Sequence, residues 1–467
     1  MNKTRSPRTI FLQLIRTFLL TASVLLLANL SVVQAQINNP APACTKVAQP
    51  GPDLRAFLNT LIPGDVGCLR AGTYGARGTY AYWYPSGTPS APITLMGYPG
   101  ESMPVILGAL YIEGNNLVLS RLLFDGPTGR LVTPTSSNPN GEVDQVSIYG
   151  DNVEVSHCEV RNNGYHAGIY LENAFNARLI GNYIHDNGRF GNLSSANMDH
   201  GIYFASGSGL IANNIVEHNW SFGVHIYPSA SNVTVQQNTI IKNGKSGVII
   251  GGQTTDCSST TGCPPQPTNN IVVNNILALN GQHAIHSYEL TTTGHIVRNN
   301  LFWQNAAGDI PSDERLRRGL TFQNNIQADP RFVGAFNYRL QFSSPAIDAA
   351  LSPYTQRDDY DFIPRPQGTA SDIGAFEFKL GTTAASVSVS GRVLSSRGRG
   401  VFNAVVHLTN QMGEIQTTRT NSSGYYTFQE VAAGESYIFN VYAKRYQFNP
   451  QVIALTADLD GLNFTAQ

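Results

Sequence analysis

Two tyrosines and two histidines recur in one slot of a repeated pattern. The second residue after a turn Gly or Ala is Tyr170, Tyr203, His225, Ile249 and His286 in successive copies, with Tyr227 close by. Phenol and imidazole groups exchange protons and hydrogen bonds, and aromatic rings pack against apolar ring surfaces. Asp199-His200 stands directly before Gly201-Ile202-Tyr203. With His166, Tyr203, His225 and Glu217 it makes the densest group of proton-handling residues. Two further columns carry charge. One reads Arg161, His185, Glu217, Ile241, Ala278, Trp303 and the next Asn162, Asp186, His218, Lys242, Leu279, Gln304. An outward charge column equally suits a solvated face.

The element that must position these residues is a short repeat. Asn182-Tyr183-Ile184-His185-Asp186-Asn187 returns at Asn214, Asn238, Asn275 and Asn300, with Cys158 in the first slot of an earlier copy and a broken copy from Asn325. The lead positions are 24, 32, 24, 37, 25 and 25 residues apart, a period that means stacked coils. Each turn holds three short runs of alternating apolar residues, as in Asn232-Val233-Thr234-Val235 and Gly247-Val248-Ile249-Ile250. Three strands per turn of about 24 residues predict an all-β parallel β-helix of about ten coils, with Asn ladders inside the bends. An amphipathic helix over Leu54 to Leu61 caps the open end. Loops at 127–142, 189–198 and 253–268 break the period and must bulge outward.

Met1 to Ala35 reads as a secretory signal, with Lys3, Arg5, Arg8 and Arg16 ahead of an apolar stretch. Of 30 Lys+Arg those four leave with it, so 26 face 31 Asp+Glu. That balance offers no basic face for nucleic acid, and no later stretch is apolar enough to span a bilayer. Export makes disulfides available, with Cys44, Cys68, Cys257 and Cys263 as candidates and Cys158 as a buried free thiol. The expected division is a signal at 1–35, the β-helix with its cap and closing segment at 36–380, a linker at 381–386 and a small β-sandwich at 387–467. In the closing segment, Asp358, Asp359 and Asp361 read better as a polar cap knitted with Arg365 than as an ion site.

Residues 43–330 resemble the pectate-lyase-like superfamily of right-handed parallel β-helix proteins. Leu61-Ile62-Pro63-Gly64-Asp65, Ala71-Gly72-Thr73-Tyr74 and the Gly-Ile-Tyr-type coils carry the resemblance. It implies an extracellular protein that engages polysaccharide. Asp199-His200 is similar to part of the pectate-lyase motif, whereas the Arg-x-Pro-x-x-Arg motif of those lyases is absent. Residues 387–467 resemble the carboxypeptidase-regulatory-like domain through Gly391-Arg392-Val393, Ala404-Val405-Val406 and Gly424-Tyr425-Tyr426. That implies a non-catalytic spacer or adhesion module.

A lyase needs a base for the proton beside a uronate carboxyl and a cation to neutralise that carboxyl. The expected catalytic set is His200, His225, Asp199, Tyr203 and Lys242. Arg161, His166, Tyr170, His185, Glu217, His218, Tyr227 and His286 are expected to bind substrate, and Asp186 and Glu217 to hold Ca²⁺. The leading expectation is a secreted or cell-surface protein with polysaccharide-lyase-like activity on a uronate-containing glycan. A non-catalytic glycan-binding adhesion protein is the alternative, and a glycoside hydrolase using Asp186 and Glu217 a further one. Oligomeric state is not legible.

Overall fold

The computed structural model describes residues 43–126, 144–191, 197–255, 257, 262–379, 386–410, 415–432, 435–455 and 457–467. The expected signal, the whole of the 127–142 loop and all of the linker but Ser386 lie outside them. Three faces of parallel strands wind around one core. Face A has eleven strands, from Lys46–Ala48 to Leu320–Gln323. Faces B and C separate at the long strand Val105–Glu113, whose first half pairs with Leu123–Asp125 and second half with Val146–Tyr149. Face B continues through Glu159–Arg161, Tyr183–His185 and Ile215–Glu217 to Ile326–Gln327. Face C continues through Ala167–Leu171, His200–Phe204, Val224–Ile226 and Val248–Gly251 to Ile285–Tyr288.

The period-two pattern explains the inside. Val146, Ile169, Ile202, Val224, Val248 and Ile285 stack in register, every one fully buried. Each is worth about 1.5–3 kcal/mol relative to exposure. At the bends the Asn columns form two ladders. Asn182, Asn214, Asn238 and Asn275 each donate Nδ2–H to the next Oδ1 at 2.9 Å, ending on Asn300 and Asn325. The second ladder climbs from Asn187 through Asn219, Asn243 and Asn280 to Asn305. The same oxygens accept backbone N–H groups, so buried bends are satisfied. The Cys158 backbone N–H joins this scheme through Asn182, and burial pushes the Cys158 thiol up to about 12, which leaves it inert.

The fourth repeat column is a true register, Arg161↔His185↔Glu217↔Ile241↔Ala278↔Trp303. The fifth is a corner. Asn162, Asp186, His218, Lys242, Leu279 and Gln304 all have φ between 48° and 58°, so the backbone leaves face B there.

The amino-terminal cap is a helix over Leu54–Leu58, shorter than expected. The Asp53 carboxylate accepts from Ala56 N–H at 3.0 Å, and Leu54 and Leu58 cover the first coils. Cys44 pairs with Cys68 and Cys257 with Cys263. Past Gln327 the chain does not add another coil but folds back along the stack. Tyr338, Leu340, Ala346, Ile373, Ala375 and Phe376 pack on Ile215, Ile241, Ile276, Ala278 and Leu301 of face B. Asn274 Nδ2 donates to Leu351 and Tyr354 carbonyls, and Asn299 Nδ2 to that of Ala349. At its centre Arg365 and Glu377 form a fully buried ion pair at 2.8 Å. Asp359 accepts from the backbone N–H of Asp361, Ile363 and Glu377, so the aspartates here knit the segment. Residues 386–465 form two antiparallel-rich sheets over a core of Val389, Val406 and Phe439. Among the described residues no helix is long and apolar enough to cross a membrane.

Candidate active site

The outward column of face C is Tyr82, Tyr111, Ser147, Tyr170, Tyr203, His225, Ile249 and His286, in register across eight coils. Aromatic side chains two residues away widen it to a ladder. Tyr111 stacks on Tyr149 (4.8 Å), Tyr203 on His225 (4.9 Å), His225 on Tyr227 (5.4 Å) and Tyr227 on Tyr288 (5.4 Å). Rings stacked on one another have already used those faces. They therefore present edges and phenol hydroxyls outward, a change from the sugar-stacking role that the residue types alone suggest. Open ring surface remains at the amino-terminal end, where Tyr82 is 38% and Tyr84 60% exposed.

Two proton-handling chains flank Tyr203. On one side His166 Nδ1 lies 2.8 Å from an Asp144 oxygen, with the imidazole 5.0 Å from the Tyr203 ring. The carboxylate fixes the tautomer with the proton on Nδ1. On the other side Tyr288 OH is 3.0 Å from His225 Nε2, and His225 Nδ1 is 3.0 Å from His200 Nε2. Among the described residues His200 Nδ1 is buried without a hydrogen-bond partner. A buried orphan N–H is rarer than a buried lone pair, so the assignment puts the His200 proton on Nε2. His225 then donates from Nε2 to the Tyr288 oxygen, and the Tyr288 O–H points its own proton onward. Burial drives His200 well below the usual range and His225 to about 3, so both are neutral at neutral pH. Burial also raises Tyr288 and Tyr203, which keeps both phenols protonated. His286 is pushed to about 3 by burial, with help from His283 and Lys245, and its Nδ1 sits 2.8 Å from Ser246 Oγ.

The structure brings together His166, Tyr170, His200, Tyr203, His225, Tyr227 and His286 from the expected set. It separates the rest. Asp199 is fully buried and takes a bidentate contact from Arg189 at 2.6–3.2 Å, so it anchors the 189 loop rather than facing the groove. Arg161, His185 and Glu217 belong to face B, and Asp186, His218 and Lys242 to its corner. Glu217 is 5% exposed and accepts from Tyr183 OH at 2.9 Å and from Tyr338 OH of the closing segment. Lys242 lies 3.4 Å from Glu217 and 2.8 Å from Tyr338 OH. The closing segment thus packs against Lys242 and Glu217 at face B and its corner. Arg161 is bound to Glu159 at 2.6 Å, and His185 bridges Glu159 and Asp186. Asp186 and His218, 2.5 Å apart, border a separate cleft of about 450 Å³ with Phe190.

The expected Ca²⁺ set does not fit. Both oxygens of Asp186 and both of Glu217 are engaged by protein donors, and among the described residues no three His, Cys, Asp or Glu side chains gather to hold a metal ion. The sequence reading passed over Tyr82, Tyr84, Tyr111, Tyr149, Asp144 and Lys245. The alternation Tyr80-Ala81-Tyr82-Trp83-Tyr84 carried a signal for the first of these.

Residues 132–263 match the family described as the right handed beta helix region, and residues 388–466 the carboxypeptidase regulatory-like domain. No curated protein matches the chain significantly. Similar solved structures include pectate lyase Pel9A, at 13% identity and TM-score 0.47 over 72% of this chain and 97% of that one. An alginate lyase from Paenibacillus sp. str. FPU-7 is similar at 15% identity and TM-score 0.43, over 61% of this chain and 97% of its own. The Azotobacter vinelandii mannuronan C-5 epimerase AlgE4 A-module is similar at 14% identity and TM-score 0.31, over 61% and 93%. By its coils the chain folds as a right-handed parallel β-helix, within which residues 132–263 match the right handed beta helix region, followed by a small β-sandwich that matches the carboxypeptidase regulatory-like domain.

Proposed function

We propose that the protein is exported, holds a uronate-containing polysaccharide along face C and cleaves it by β-elimination. The observation that carries this reading is the pair of proton-handling chains on either side of Tyr203. A base takes the proton on the carbon beside the uronate carboxyl. The glycosidic C–O bond on the next carbon breaks, a C=C bond forms, and the leaving oxygen takes up a proton. His166 is the base. Asp144 orients it and stabilises the imidazolium that forms, as a carboxylate does behind a catalytic imidazole. Tyr288 is the acid and regains its proton from water, while the His225 Nε2–H, fixed by His200, holds the Tyr288 oxygen in place. Phenol hydroxyls of Tyr203 and Tyr170 meet substrate oxygens, and Lys245 lends positive potential at the His286 end.

The test is incubation of the exported chain with a panel of uronate polymers, with and without chelator. Ultraviolet absorbance from unsaturated uronate ends is expected in both arms, and its loss in His166→Ala and Tyr288→Phe. New reducing ends without absorbance would point to hydrolysis. A second reading, glycan binding without turnover, is favoured by one observation: both nitrogens of His225 are engaged and the ring is held neutral. Binding of polymer with no new ends of either kind would select it.

A further inference from the structure

The charges around face C are unevenly placed along its length. The face-C strands carry a single Lys or Arg, Arg77, and it turns away to Asp125 and the Gly126 carbonyl of face B. Carboxylates instead border the amino-terminal half. Glu113 ends its strand opposite Tyr149, Glu172 accepts from Tyr170 OH at 2.9 Å, and Asp144 sits beside His166. Their fields reach Tyr149 and Tyr170, raising both phenols after the larger effect of burial. The carboxyl-terminal half has His225, His286, His283 and, at its rim, Lys245. That end has a carboxylate too, Glu289, which accepts from the Thr254 backbone N–H and hydroxyl at 3.0 and 2.8 Å and acts on Tyr288.

We infer that the glycan of face C is a heteropolysaccharide in which single uronates are separated by neutral sugars, with its neutral stretch lying over the tyrosines of the amino-terminal coils. This rests on the reading of face C as the polysaccharide groove and names its substrate class. From Tyr82 to His286 the column climbs seven coil steps, roughly 34 Å at about 4.8 Å per step, enough for several sugar units. A polymer charged at every sugar would set carboxylates against Glu113 and Glu172 as well as the one held at His166. One such contact at about 4 Å costs about fivefold in affinity even at the dielectric of water. Neutral sugars meet no such penalty, and the Tyr hydroxyls and the open rings of Tyr82 and Tyr84 suit their hydroxyls and C–H surfaces.

The experiment compares binding of the full chain at low salt to polygalacturonate and alginate with binding to a polymer of one glucuronate among neutral hexoses, such as gellan. The mixed polymer should bind at least about tenfold more tightly, with the gap closing as salt is raised. In the Glu113→Gln, Glu172→Gln double variant the ratio should narrow at least about fivefold. Because the same protein sample is read on both polymers, a folding defect cannot produce the change in ratio. Equal or tighter binding of the homopolymers, or an unchanged ratio in the variant, overturns the inference while leaving face C as the groove. Failure of every uronate polymer to bind overturns the reading of face C and this inference with it.

Discussion

Faces B and C are built from the same coils and carry similar residues, yet the closing segment packs on face B. Face B has Glu159, Arg161, His185 and Glu217, and nearly every polar atom there is consumed by a neighbour or by the closing segment. Face C has Tyr203, His225, Tyr288 and His286 in or beside its outward column, partnered by one another and by Ser246 rather than by the closing segment. The difference lies in what the chain does after the last coil. Titratable residues in a column become a candidate site only where no later segment satisfies them.

That contrast can be broken by mutation. The largest expected effects lie on face C. His166→Ala or Tyr288→Phe should lower polysaccharide cleavage by about 10²–10⁴-fold, measured as kcat/KM on soluble polymer, with the melting midpoint little changed. Next is the lock on face B. Arg365→Ala leaves Glu377 buried and unpaired and should cost about 3–5 kcal/mol by urea unfolding. The fraction that stays folded should still cleave, because the lock does not touch face C.

The two regions should also respond oppositely to pH. Burial raises Asp372 to about 7 and Asp359 to about 6, so the folded closing segment holds protons that the unfolded chain has released. Its stability is therefore fullest below about pH 4 and is lost as pH rises through 6 to 7. On face C, His225 and His286 are depressed to about 3. Their contribution is present above the ordinary imidazole value and is lost as pH falls toward 3. Amide hydrogen exchange should show the closing segment better protected at pH 5 than at pH 8 and the face-C strands the reverse. Asp372→Asn should flatten the first trend only. The smallest effect belongs to Lys242→Met. It should cost about 0.2–1 kcal/mol and leave cleavage within about twofold, which a catalytic lysine could not do.

Much of the scaffold was legible. The Asn-x-apolar-x-x-Asn repeat marks both ladders and the face-B register because an amide in a bend has few other partners, and the period-two runs mark the inward columns. The Gly-plus-two slot placed Tyr170, Tyr203, His225 and His286 in a single register. Other features left no local trace. The return of residues 328–379 over face B depends on Tyr338 and Phe376 meeting Ile241 and Ile276, contacts far apart in sequence. Asp199 looked catalytic beside His200, but successive residues at a strand start point to different sides, and Arg189 claims the carboxylate. The amino-terminal tyrosines escaped because the strand Thr73–Trp83 has a register shift between Gly75 and Tyr80, which hides the coil period.

The central claim is that polysaccharide lies on face C and not on face B. Hydroxyl-radical footprinting of tyrosines with and without saturating uronate polymer tests it most directly. The account predicts protection of Tyr82, Tyr111, Tyr203 and Tyr288, with Tyr183 of face B unchanged. Protection of Tyr183, with the face-C tyrosines left as reactive as in the free protein, would contradict it.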